Sequence, residues 1–330
     1  MHKFIGPHPA WHGPIAETIA HHLPLFALLR LRFLAEPGPT VVNQEVRRRV
    51  RQTFSPYVPT KMIEFFRKLK ECRGIASGPV VNDIFLFNIP EKEAEDGGHA
   101  HGDNHEELDA HHTVPPNLEI IIEKDIVGMG AFLRSIGYQD LNLSKSQSRR
   151  ALAGFNGHYE VIDRVERYEQ VGRDGAASNP LSESKWSALR AFLSVDNTSD
   201  MVAISHNMIV CLYPRLVYKK EGLLRTRGLK AGDDQMTLYR EEGFTLHSTN
   251  AHWEHPCGPY CPEIWRSSYN ADGACKIKWS LGSGHEEGVE GDTMDPVDEE
   301  LLSWRISNRC LNDHCDNARL HDLRKEYVDM

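Results

Sequence analysis

The sequence predicts an α+β protein, a mixed sheet with flanking helices followed by a Cys-rich C-terminal region. Three observations predict it. Residues 117–123 alternate as a strand does, with Leu118, Ile120 and Ile122 on one face and Asn117, Glu119, Ile121 and Glu123 on the other. The next stretch, "IVGMGAFLRSIG", has helical apolar spacing and a Gly137 stop. Five of the seven cysteines, Cys257, Cys261, Cys275, Cys310 and Cys315, fall in the last eighty residues.

The 330 residues are enough for one large or two ordinary domains with a real core. A formal charge of −9 argues against a general nucleic-acid binder, which carries a basic face or tail. No apolar run approaches the ~20 residues that cross a bilayer, and "HHLPLFALLRLRFL" is interrupted by Pro24, Arg30 and Arg32. The first residues carry Pro and His where a secretory signal has a clean apolar segment. An intracellular protein, cytoplasmic or nuclear, is expected, with cysteines serving as thiols or metal ligands rather than disulfides.

Three regions follow in order. Residues 1–44 form a Pro- and His-rich segment around one apolar helix, near Ile15–Leu34. Residues 45–245 form the core. In it "EVRRRVRQTF" and "TKMIEFFRKLKEC" read as amphipathic helices, and "VVNDIFLFNI" reads as a strand. Residues 91–114 are a polar insert, expected to be disordered. "HYEVIDRVERYEQ" reads as a strand or a helix, and "ESKWSALRAFLSV" as a helix. "DMVAISHNMIVCLYP" reads as a further helix or buried segment, and "DDQMTLYREEGF" as a short helix stopped by Gly243. Residues 246–330 are the Cys- and Trp-rich C-terminal region.

Asn117 and Glu119, two apart on one strand face, present oxygen ligands at a spacing that one divalent ion can bridge. A half-exposed strand facing water accounts for the same pattern. Within the insert, His99, His101, His105, His111 and His112 are mixed with seven carboxylates between Glu93 and Asp109, a competent ligand set on a segment with little to hold it rigid. Cys72 and Cys211 sit in apolar runs and read as core thiols.

The late cysteines offer a tetrahedral zinc site. Cys257 and Cys261, spaced C-x3-C, with Cys275 and Cys310 complete four ligands, and His314 or Cys315 is an alternative fourth. Four protein ligands leave no open position, so such a zinc is structural. The competing reading is reduced cysteines packed beside Trp253, Trp265 and Trp279.

Five short pieces carry a resemblance. They are Ser77-Gly78-Pro79, Asn117-Leu118-Glu119, Gly137-Tyr138, Leu212-Tyr213-Pro214, and "CGPYCPEIWR" from Cys257 to Arg266. In this order they resemble a fungal (basidiomycete) family of nucleotidyltransferase-fold proteins, over roughly residues 45–315. The resemblance implies a nucleotidyltransferase-like mixed sheet. It assigns phosphate binding to Ser77 and Gly78, and Mg²⁺ ligation to Glu119 and Asn117 as catalytic residues. The departures imply a degenerate site. Pro79 stands where the family has a serine, removing a hydroxyl and a backbone donor, and neutral Asn117 replaces a carboxylate. Losing a single preorganised donor costs on the order of 10²–10³ in rate. Asp83, Glu123 and Asp163 are the carboxylates that could compensate. The resulting expectation is a non-catalytic nucleotidyltransferase-like domain that binds a protein or small molecule, with zinc as a structural ion. The alternative is an active Mg²⁺- and nucleotide-dependent transferase with a rearranged site.

Overall fold

A computed structural model describes residues 13–25, 27–28, 38–86, 118–141, 161–170, 178–225, 239–268, 273–281, 295–296, 301–307 and 309–316. The His-rich insert and Asn117 lie outside the described residues.

Helix α1 (Gly13–His22) is followed by the longer α2 (Gly38–Phe54) and α3 (Met62–Glu71). Helix α2 runs across the 44/45 boundary drawn from composition. Its Val42, Val46, Val50 and Phe54 recur at three- to four-residue spacing and are buried, so one stripe faces the core. Strand β1 (Ile75–Ser77) leads through Gly78, at φ +91°, into α4 (Pro79–Leu86). That helix corrects the strand reading of "VVNDIFLFNI". Pro79 supplies a preset φ in the first turn, and Val80, Val81, Ile84 and Phe85 bury one face at helical spacing. A short run rich in β-branched residues does not separate the two states by composition.

Strand β2 (Glu119–Ile122) is followed by α5 (Ile126–Ser135), β3 (Tyr138–Asp140), β4 (Ile162–Gln170) and β5 (Ser178–Ser184). Asp125, in the left-handed region at φ 63°, caps α5 by accepting from the Gly128 N–H, and Gly137 turns the chain out at φ +97°. Then come α6 (Ala188–Leu193), β6 (Val202–Ile204), β7 (Met208–Cys211), α7 (Pro214–Tyr218), β8 (Glu221–Leu223), β9 (Thr245–His247), β10 (Arg266–Ser267), β11 (Cys275–Lys278) and β12 (Ser303–Trp304). The β6–β7 hairpin rules out the helix that was one expectation there and is the buried segment that was the other. Its turn is held by Ser205, whose Oγ accepts from the N–H groups of Asn207 and Met208.

Eight strands form one sheet in the order β11-β7-β6-β1-β2-β5-β4-β3. Every neighbouring pair is antiparallel except β2 and β5, which run parallel and are joined through α5. Strand β11, from the Cys-rich region, is an edge of this sheet, so that region and the core share hydrogen bonds. Two apolar clusters cover the sheet's faces. One packs α1–α5 against Leu118, Ile120 and Ile122. The other packs α6, Trp253, Cys257, Cys261, Cys310 and Cys315 against Ile75, Ile121 and Val210. The strand alternation that opened the sequence reading is thus realised, with Glu119 projecting from the second face.

Candidate metal centre and the carboxylate strand

The C-terminal part of the chain crosses the second face of the sheet in two tight turns. In the first, Cys257 and Cys261 flank a single 3-10 turn, Gly258–Tyr260, where Gly258 adopts φ +53° and Pro259 fixes the next residue. In the second, the Cys315 N–H donates to the Asn312 carbonyl at 3.0 Å, which folds Cys310 and Cys315 back towards each other. Both turns place their sulfurs inward. Cys257, Cys261, Cys310 and Cys315 are all buried, and their four Sγ atoms lie within 4.8 Å of one another. Cys257 Sγ is 3.6 Å from Cys310 Sγ, and Cys315 Sγ is 3.7 Å from Cys261 Sγ.

Those spacings decide what ion fits. With Zn–S bonds of about 2.3 Å, the edge of a regular ZnS₄ tetrahedron is about 3.8 Å. The observed pairs match a single central ion. An iron–sulfur cluster would place thiolates on different irons and spread the sulfurs further apart. Burial pushes the Cys310 thiol up, whereas the hydrogen bond from the Cys257 thiol draws Cys261 down. A bound divalent ion would displace the protons these sulfurs hold.

Cys275, expected as the third ligand, is elsewhere. It lies on β11 directly opposite Cys211 on β7, in the other apolar cluster, with burial pushing its thiol up to about 12. Cys315 takes the place given to Cys275. The nearby histidines also do other work. His252 stacks on His247 with ring centroids 3.8 Å apart, and His255 Nε2 lies 3.0 Å from an Arg215 nitrogen. Cys72 and Cys211 are fully buried core thiols, as their sequence context predicts.

Glu119 opens β2, opposite Ser77 at the end of β1, so both side chains project from the same face. Its carboxyl is raised to about 8 by burial first and by the neighbouring Asp200 second, with Arg167 opposing. Asp200 is itself raised to about 6 by burial, and it accepts from the Tyr239 hydroxyl and from Asn197 Nδ2. The sequence reading singled out none of Asp200, Asn197 and Tyr239; the only hint was the polar run "DNTSD" ahead of an apolar one. Ser77 is buried, Gly78 makes the turn, and Pro79 begins α4 without an N–H to offer a phosphate.

Two of the other carboxylates stand apart. Glu123, four residues along from Glu119 and hence about 13 Å away, pairs with Arg73 at 3.0 Å, and Asp163 is exposed on β4. Asp83, on α4, is raised to about 6 by burial, and it and Asp200 both help raise Glu242 to about 7 after burial. Among the described residues, the four sulfurs are the group of His, Cys, Asp and Glu ligand atoms close enough together to hold a metal ion. No helix among the described residues is long and apolar enough to cross a membrane. The chain matches no protein-family model, no curated protein and no solved structure.

Proposed function

We propose that this chain is a binding or interaction protein, a nucleotidyltransferase-like domain without catalysis whose C-terminal part is folded around one structural zinc ion. The observation that carries the reading is the set of four buried sulfurs at tetrahedral spacing. Four protein ligands fill the coordination sphere, so the ion has no position for water or substrate and acts by holding two turns together. The carboxylate strand supports the non-catalytic half. Burial and the nearby Asp200 raise the Glu119 carboxyl to about 8, so an ion bound there would first have to displace its proton. Pro79 removes a donor from the turn where a phosphate would sit.

The test combines metal analysis with ligand-dependent unfolding. Purified protein is expected to hold one zinc per chain. Its melting temperature is expected to stay unchanged with each ribonucleoside triphosphate, with or without Mg²⁺ or Mn²⁺. A ligand at 100 times its Kd would add ~2.7 kcal/mol, a shift of a few degrees. A metal-dependent rise that vanishes in Glu119→Ala would replace this reading with the active transferase, Asp200 then being the second carboxylate beside Glu119.

A further inference from the structure

The sulfurs are not left to the metal alone. Asn250 Nδ2 lies 3.3 Å from Cys257 Sγ and 3.0 Å from Cys310 Sγ, and Asn312 Nδ2 lies 3.1 Å from Cys257 Sγ. Both asparagines are buried, at 1% exposure each, where an amide needs a reason to be. The orientation of each amide is fixed by its other end. Asn250 Oδ1 accepts from the Leu311 N–H at 3.0 Å, and Asn312 Oδ1 accepts from the His314 N–H at 2.8 Å. A backbone N–H can only donate, so the oxygens face those groups and the NH₂ groups face sulfur. Asn312 Nδ2 also donates to the His255 carbonyl at 2.8 Å, which fixes it a second time.

The two residues form a reciprocal clasp. Asn250 belongs to the segment before the first cysteine turn and reaches into the second, at Cys310 and Leu311. Asn312 belongs to the second turn and reaches into the first, at Cys257 and His255. Backbone donors add to them: the Glu263 N–H serves Cys261 and the Asn312 N–H serves Cys310.

We infer that Asn250 and Asn312 are positioning residues for a single divalent zinc-type ion, holding the Cys257 and Cys310 sulfurs in place and sharing the negative charge of the tetrathiolate. This rests on the metal reading above. The physical need is plain. One divalent cation with four thiolates sums to a charge of about −2 in a buried site. Such a charge is costly to bury unless donors surround it. An N–H donor on a thiolate withdraws electron density and fixes the direction of the sulfur's lone pairs. Partners of this kind, once removed, typically cost 10–100-fold in metal affinity.

The experiment titrates Zn²⁺ and Co²⁺ into reduced, metal-free full-length chain and compares wild type with Asn250→Asp and Asn312→Ala. Asn250→Asp keeps an oxygen that accepts from Leu311 and replaces the donors with a negative charge beside the sulfurs, and circular dichroism checks that the fold is retained. Asn312→Ala independently removes one donor from Cys257. Each variant is expected to bind Zn²⁺ 10–100-fold more weakly than wild type. The thiolate-to-Co²⁺ charge-transfer band is expected to move to lower energy, a signature that loss of packing alone does not give. Folded variants that bind with wild-type affinity and an unmoved band would overturn the inference while leaving the metal centre intact. A wild-type chain that takes up neither ion would remove the metal reading, and this inference with it.

Discussion

Cys275 and Cys315 look alike in the sequence, each a lone cysteine in a polar stretch, yet one faces Cys211 across a strand pair and the other completes the sulfur group. The difference is measurable. Cys315→Ser is expected to abolish stoichiometric zinc binding, whereas Cys275→Ser leaves one zinc per chain, as read by elemental analysis. Glu119 offers a second test at this scale. The folded chain keeps its carboxyl protonated up to about pH 8, whereas the ordinary value is 4.5. The folded state therefore binds the extra proton between those limits, and stability falls as pH rises through the window. Glu119→Gln removes that contribution. The variant is expected to be more stable than wild type at pH 8 by roughly 2 kcal/mol, the nearby solvent reducing what the full shift would give. Equal stability at pH 5 and a gap that widens towards pH 8, in urea titrations, is the pattern to look for.

Among the elements, α2 is the one whose seating depends most on a single side chain. Arg49 is fully buried, its Nε 2.7 Å from Glu45 Oε1. Its remaining nitrogens donate to the carbonyls of Ala20, Leu23 and Ile84, tying the end of α1 and the end of α4 to α2. Arg49→Ala leaves Glu45 with Arg48 in place of two arginines and takes the Arg49 donors from three carbonyls. A loss of about 3–5 kcal/mol is expected by urea unfolding, and the double replacement Glu45→Leu/Arg49→Met is expected to recover part of it. Elements with one wet face or a clear stop were legible in the sequence. The sequence of α5 shows its Gly137 stop, whereas β4 buries Ile162, Val165 and Tyr168 at every third residue with a bulge between Ile162 and Arg164, which is why it read as strand or helix. Helix α4 was misread because so short a run rich in β-branched and apolar residues reads equally as a strand, although Asp83 marks its open face. The β6–β7 stretch was legible as buried but not as strand, because with Val202 through Ile204 enclosed no polar residues mark the period.

At the scale of the whole molecule, the group of four sulfurs joins the two ends of a long excursion. Between Cys261 and Cys310 the chain runs 310 − 261 = 49 residues and contributes β11 to the edge of the main sheet. Closing such a loop lowers the entropy of the unfolded chain, and its release frees an edge strand. Chelation under reducing conditions is expected to lower the melting temperature by roughly 10 °C, given the several kcal/mol that structural zinc contributes. Hydrogen exchange at Ile277 and Lys278 on β11 is expected to rise on chelation, while Ile120 and Ile122 in the middle of the sheet stay protected. Exchange that rises uniformly would mean that the ion supports the sheet as a whole rather than its edge.

By itself the sequence determined the class of fold, the two-faced strand at Glu119, the helix with its stop, and the presence of late cysteines in metal-binding number. Those features are local, because alternation, helical spacing and turn chemistry act over a few residues. The tertiary structure alone decided which cysteines meet, since Cys257 and Cys310 are separated by 53 residues and no spacing rule spans such a distance. It alone placed Asp200 beside Glu119 and aimed two asparagine amides at sulfur, because contacts of that kind are fixed by how the sheet orders its strands and which face each turn crosses.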